Sequence, residues 1–218
     1  YDESRMSYGL SEAVRKKTKR IKCDDPAMLM KAVKNSAEIA STGQAHIRDG
    51  AAVMRFIKWL KENVSENEIT EISASDYLAQ ERRKQGAYDL SFDTIAGYGA
   101  HGAIIHYEAE PRTNVQLKPE GFLLVDSGGQ YDDGTTDITR TIALGPLSEK
   151  MKRCYTAVLK AHIALATSVF DAETTGAELD AAARKPLHEE GLDYKHGTGH
   201  GVGHMLSVHE GPNTISPK

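Results

Sequence analysis

Cysteine is scarce: Cys23 and Cys154 are the only two in 218 residues, and Cys154 falls inside an amphipathic helical pattern. That argues against a disulfide framework and for a reducing compartment, so a cytoplasmic protein is expected. No apolar run approaches the length of a membrane span, and the first residues carry neither a basic nor an apolar leader segment. Membrane insertion and secretion are not expected. An excess of one charge is also missing: 27 basic and 31 acidic residues leave a net charge of -4, spread along the chain. Without a basic stripe to neutralise phosphates, nucleic acid is not an expected partner. Internal repeats and low-complexity segments are absent as well.

What is present is an ordinary globular composition, 39% hydrophobic, enough to bury one sizeable core. Residues 1–24 are charged and turn-rich, with Arg15-Lys16-Lys17 and Lys19-Arg20 close together, and read as a linker or the end of a preceding domain. Residues 25–218 read as one domain. The chain opens with Tyr1 and closes at Lys218 directly after a cluster of functional-looking residues, so both ends are expected to be cuts and the domain incomplete at its C-terminus.

The helical pattern starts at Pro26. A longer helix is predicted from Ser36, with Ile39, Ile47, Val53, Phe56, Ile57 and Leu60 near the 3.6-residue period and Trp59 beside them. Ser73-Ala74-Ser75-Asp76 looks like a capping box for a further helix running to about Gly86. Short β-branched runs follow, separated by Gly and Pro: Phe92–Ile95, Ala103–Tyr107, Phe122–Asp126 and Thr135–Ile142. They predict an antiparallel sheet. Ser148 caps a helix with the stripe Met151, Tyr155, Val158, His162, Leu165 and Val169, and Thr175 to about Glu190 makes another. Helices, then strands, then helices again argue for an α+β fold.

Asp126 ends an apolar strand, and Asp137 lies eleven positions on in a returning strand. A hairpin between them sets two carboxylates opposite one another, an expensive arrangement that a divalent cation relieves. The alternative is a turn residue and an exposed strand residue; Asp132 and Asp133, in the Gly-rich turn, are read as turn residues. A second constellation holds His196, His200, His204 and His209, four histidines within fourteen positions and interleaved with glycine, followed by Glu210-Gly211-Pro212. Such a run crowds imidazoles around a metal, or serves only as a flexible metal-scavenging loop. Oxygen and imidazole donors together suit manganese or iron, with cobalt or zinc as alternatives, and no Cys pair supports a structural zinc site. His106, at the end of the predicted strand Ala103–Tyr107, reads as a site residue or as a satisfied core histidine.

Gly102-Ala103-Ile104-Ile105-His106-Tyr107, Val125-Asp126-Ser127-Gly128 through Gly134-Thr135-Thr136-Asp137-Ile138-Thr139-Arg140-Thr141, and His196-Gly197-Thr198-Gly199-His200-Gly201-Val202-Gly203 through Val208-His209-Glu210-Gly211-Pro212 together resemble aminopeptidase P. The likeness extends over nearly all of residues 25–218, including Glu71-Ile72-Ser73-Ala74 and Asp89-Leu90-Ser91-Phe92, and is closest to the long, cytosolic, three-domain Xaa-Pro aminopeptidases. It implies the pita-bread fold, a curved antiparallel sheet flanked by helices with a binuclear metal site. Carried over by position, Asp126 binds one metal, Asp137 bridges both and His200 binds the other, the pair being two divalent ions, manganese first. His106 and His209 are the implied catalytic and substrate-holding histidines, and His196 lines the pocket for a proline after the cleaved bond. The family's two further glutamate ligands have no match in this sequence, and Glu210 is not one of them, so weak metal binding and little activity are expected of these 218 residues alone. Peptides with proline in second position are the implied substrates, and a homodimer the implied assembly. An Xaa-Pro dipeptidase, a methionine aminopeptidase or a metal-free binding module on the same fold are the rival readings. His101 and His204 receive no role, and His46, His162 and His188 are read as helical residues, structural or exposed.

Overall fold

The computed structural model describes residues 1–14 and 18–217, so the basic run Arg15-Lys16-Lys17 lies outside the described residues. The helices are α1 (Tyr8–Ala13), α2 (Pro26–Ala32), α3 (Ser36–Asn63), α4 (Glu71–Lys84), α5 (Glu149–Ala166) and α6 (Gly176–Glu189). The strands are β1 (Asp89–Leu90), β2 (Ile95–Tyr98), β3 (Phe122–Ser127), β4 (Gly129–Tyr131), β5 (Gly134–Thr135), β6 (Ile138–Ala143), β7 (Gly199–Gly201) and β8 (Glu210–Ile215). All pairings among them are antiparallel, in the orders β1-β4-β5, β2-β3-β6 and β7-β8. Within residues 1–24, expected to be irregular, α1 is a short helix that buries none of its residues.

Most helix starts follow from local chemistry. Asn35, Ser148 and Thr175 cap α3, α5 and α6, and Asn35 and Thr175 close full capping boxes with Glu38 and Glu178. For α4 the cap falls three residues earlier than the predicted box: Thr70 is the N-cap, and Ser73 is its reciprocal partner inside the first turn.

The main core lies between α3, α4 and the β2-β3-β6 sheet. It holds Val53, Phe56, Leu60, Ala74, Leu78, Ala96, Leu123, Val125 and Ile142, with Leu117 closing one end. The predicted α3 stripe is right only in its second half. Ile39 and Ile47 are exposed, and Ala45, Asp49 and Ala52 are buried in their place: β5 packs so closely that a Cβ on Gly134 would lie 2.8 Å from that of Ala45, and Asp49 is paired with Arg82 and Tyr131. The α5 stripe is likewise corrected. Tyr155, Val158 and Val169 are exposed, Val169 lying beyond the helix end, while Ala157 and Ala161 pack against Leu187 of α6.

Three of the predicted strands also change. Residues 92–94 are irregular and the strand begins at Ile95; Gly99–Ala103 forms a 3-10 helix leading into turns, so no strand carries His106. Residues 135–142 are interrupted at Thr136-Asp137, where the chain leaves β5 for β6 and so passes from one sheet to the other.

Candidate metal centre

The pleat of β3 determines where Asp126 points. Leu123, Val125 and Ser127 are buried on one side, the first two in the main core, so Phe122, Leu124 and Asp126 occupy the opposite face. Asp126 pairs in register with Thr139 and accepts a 2.7 Å hydrogen bond from its Oγ1. Asp137 sits two residues before Thr139, just outside β6, so the carboxylates are neighbours and not the directly opposed pair of a simple hairpin. The intervening chain makes the β4-β5 excursion, and that detour needs glycine at 128. A Cβ there would stand 1.9 Å from the Thr136 carbonyl oxygen, which already accepts from Ser91 Oγ at 2.8 Å.

The His-rich run folds into the β7-β8 pair, with His200 in β7 and His209 one residue before β8. Close backbone approach again requires glycine: a Cβ on Gly201 would lie 2.3 Å from the carbonyl oxygen of Glu210. The pairing brings donor atoms of Asp137, His200 and His209 within 4.8 Å of one another. The rings of His200 and His209 meet edge-to-face at 4.3 Å, and His200 Nε2 is 3.3 Å from Asp137 Oδ2.

His200 Nδ1 lies 2.9 Å from the Gly201 carbonyl oxygen, which can only accept, so Nδ1 carries a proton. In a neutral ring Nε2 is then a lone pair facing a carboxylate oxygen, a contact that a bound cation, or a proton on either group, relieves. Burial raises the pKa of Asp137, and the nearby charge of Asp126 raises it further, against a partial offset from His200 and His209. One carboxylate and two imidazoles gathered on one spot, with Asp126 near enough to act on Asp137, are a donor set that suits a divalent first-row metal, so the residues fit such an ion.

The remaining candidates stand outside that cluster of three. His196 is exposed, stacks on Tyr194 at 4.7 Å and places Nδ1 2.7 Å from the Gly197 carbonyl oxygen. His106 is exposed, in the left-handed region at φ 56°, on the turn after the 3-10 helix. Glu210 is held away from the cluster by Lys31, at 3.1 Å, and by Lys34, both presented by the α2 region. His204 bonds Thr42 at 2.9 Å, and Asp133 pairs with Arg48. Clefts of about 480 Å³, beside Trp59 and Tyr77, and about 420 Å³, beside Phe122 and Tyr155, include none of the candidate residues.

Residues 40–218 match the model of metallopeptidase family M24. The chain belongs to that family. Its α+β architecture is accordingly the pita-bread fold. Among relatives, a probable Xaa-Pro aminopeptidase P of Laccaria bicolor is 46% identical over 213 residues, covering 97% of this chain and 33% of that protein. One of Sclerotinia sclerotiorum is 47% identical over 218 residues, covering 99% and 36%. The chain thus spans about a third of the length of these relatives. Among solved structures, an X-prolyl aminopeptidase of Caenorhabditis elegans, described as a cytosolic enzyme with a di-nuclear active site, superposes with a TM-score of 0.86 at 39% identity, covering 90% of this chain and 32% of that one. An Xaa-Pro dipeptidase of Bacillus anthracis gives 0.86 at 28% identity, covering 100% and 59%.

A residue that the sequence gave no reason to single out organises the approach to this candidate metal centre. Arg184 of α6 donates to Asp180 at 2.7 Å, to Asp193 at 2.8 Å, and to the carbonyls of Tyr194 and His196 at 2.7 Å each, and it covers the Tyr194 ring at 3.9 Å. Thr198 donates to the other Asp180 oxygen at 2.5 Å. One guanidinium therefore pins the irregular segment that enters β7. The signal available was an Asp180/Arg184 spacing of four on a helix, which usually marks only a surface pair.

Burial works to raise the pKa of Asp180, but the bonds from Arg184 and Thr198 outweigh it and hold the carboxyl below its ordinary 3.8. Stability from this pair is thus present above 3.8 and lost as pH falls through the lower folded value. Arg184→Met should accelerate amide exchange across residues 193–200 at neutral pH, whereas the wild-type protein should show that loosening only in acid. Equal protection in the two proteins at pH 7 would contradict this.

Proposed function

We propose that the protein is an Xaa-Pro aminopeptidase, a hydrolase that releases one N-terminal residue from peptides with proline in second position. The observation that carries this reading is the convergence of Asp137, His200 and His209, with Asp126 alongside, in a chain of the M24 family whose relatives include probable Xaa-Pro aminopeptidases. Asp126, Asp137 and His200 would hold two divalent ions, manganese in preference to zinc, cobalt or iron. Such ions supply Lewis-acid polarisation of the scissile carbonyl and a water acidic enough to attack at neutral pH.

This chain supplies part of the remaining machinery, the family's two further glutamate ligands having no match in it. Asp126 is oriented by Thr139, which leaves its second oxygen free as a ligand. His200, with Nδ1 committed to the Gly201 carbonyl, offers Nε2 in one fixed direction. His209, edge-on to His200, and His106 hold the substrate carbonyl and donate to it as negative charge develops. His196, its Nδ1 committed to Gly197, lines the pocket for the proline ring, whose nitrogen lacks the N–H that many peptidases grip.

Residues 25–218 would be the catalytic domain of a cytoplasmic, homodimeric enzyme, and residues 1–24 a connection to a preceding domain. The cytosolic nematode relative supports the compartment, and among the described residues no helix is long and apolar enough to cross a membrane.

The test compares cleavage of an Xaa-Pro tripeptide with its Xaa-Ala counterpart by the complete, Mn²⁺-loaded protein. Release of the first residue from the proline peptide alone, abolished by chelation, is the expected result. Cleavage restricted to Xaa-Pro dipeptides would favour the dipeptidase reading, which the equal TM-score of the Bacillus anthracis enzyme keeps in play. No cleavage and no stoichiometric metal would favour a binding module.

A further inference from the structure

Glu71 opens α4 and is completely buried, although nothing in the proposed chemistry uses it. Four donors converge on its carboxylate. The backbone N–H of Tyr98 donates at 2.8 Å, Tyr107 Oη at 2.9 Å and the N–H of Val115 at 3.4 Å, while His101 Nδ1 stands 2.9 Å from one oxygen and 3.2 Å from the other. The positive end of the α4 dipole further favours a carboxylate at this position.

All four donors come from residues 98–115, the stretch that carries His106. Beyond the end of β2 and the short 3-10 helix this stretch has almost no regular structure, so its path depends on side-chain anchors. His101 and Tyr107 reinforce the anchor by stacking at 4.5 Å, 28° from parallel, and Tyr107 is buried while the adjacent His106 is exposed in a left-handed conformation. A non-glycine residue persists there only when its neighbours over-determine the backbone. Tyr107 on one side and the Glu71–His101 contact on the other do so.

We infer that Glu71 is a positioning residue: by gathering Tyr98, His101, Tyr107 and Val115 onto one buried carboxylate, it fixes the turn that aims His106 at the substrate. The substrate role of His106 rests on the function proposed above; the ordering of residues 98–115 by Glu71 does not.

The experiment uses the complete, metal-loaded protein in a double-mutant cycle between Glu71→Gln and His106→Ala, with amide exchange and bound metal measured alongside. Glutamine keeps the shape but turns one acceptor oxygen into a donor facing Tyr107 Oη or the Tyr98 N–H. Expected are faster exchange across 98–115, unchanged metal stoichiometry, and about a 10- to 100-fold fall in kcat/KM for the Xaa-Pro peptide, carried by kcat as well as KM because His106 both holds the carbonyl and donates to it as charge develops. In the His106→Ala background Glu71→Gln should add less than about twofold, because both changes remove the same aimed imidazole.

Full additivity of the two losses, or an unchanged kcat/KM, would overturn the inference. If Glu71→Gln fails to fold, Tyr107→Phe enters the same cycle, removing one of the four bonds without disturbing charge, with a smaller, equally non-additive loss expected. If the wild-type protein cleaves no Xaa-Pro peptide, the functional reading fails by itself. Exchange across 98–115 then still decides whether Glu71 orders the turn, and unaltered protection in Glu71→Gln would refute that.

Discussion

Asp137→Asn should lower Xaa-Pro cleavage by the complete protein by more than about 100-fold, because replacing groups that merely orient metal ligands already costs about 10- to 100-fold. Asparagine matches the shape of the side chain but removes the negative charge beside Asp126 and His200. Stoichiometric metal binding should fall with activity. The stability of the metal-free protein should move the opposite way. The pKa of Asp137 is raised by burial and then by Asp126, so its contribution to folding is fully present below 3.8 and is lost as pH rises through the higher folded value. Around pH 7 the ionised carboxylate therefore destabilises the metal-free fold, and the asparagine variant should unfold at the same temperature or a higher one. In acid the two should converge. A variant that keeps both its metal and its activity would remove Asp137 from the site, and metal-free Asp137→Asn melting well below wild type at pH 7 would show the carboxylate to be structural.

Arg82→Met should cost roughly 3–5 kcal/mol of stability, the usual price of removing one partner from a buried ion pair. Arg82 and Asp49 are 0% and 2% exposed, and they meet through two bonds, Nε at 2.7 Å and Nη2 at 3.1 Å. Tyr131 Oη donates to Asp49 at 2.9 Å, and burial and that neighbouring carboxylate hold the phenol well above its ordinary pKa. Methionine fills the space but leaves Asp49 with the tyrosine alone. For a chain of this size the loss corresponds to a fall in melting temperature of about 10 °C. Pairing it with Asp49→Leu removes the stranded charge, so the double variant should be more stable than Arg82→Met alone. Additive losses would indicate that Arg82 acts through packing and not through the pair. Because Tyr131 ends β4, the same network supports the excursion between Asp126 and Asp137, and a partial loss of metal affinity should accompany the lower melting temperature.

Individual candidate ligands were legible in the sequence where local chemistry alone placed them. Asp126 closes an apolar alternating strand, the Gly/His run can only bend tightly, and Asn35, Ser148 and Thr175 announce their helices with side chains that cap them. The supporting network was not legible. Glu71, Arg82 and Arg184 look like surface charges in helical patterns, and their burial depends on strands and loops far along the chain. His106 was read onto a strand because Ala103-Ile104-Ile105 is apolar and β-branched, yet Ile104 and Ile105 are exposed and Glu71 draws the segment into a turn.

By itself, then, the sequence determined the α+β class, most of the helix starts and a candidate metal-binding donor set, since these depend on side-chain type and short-range spacing. Only the tertiary structure decided which donors meet. Asp137 comes from the break between β5 and β6, His200 from β7 and His209 from the residue before β8, and their convergence depends on strand register and buried ion pairs that no local window contains.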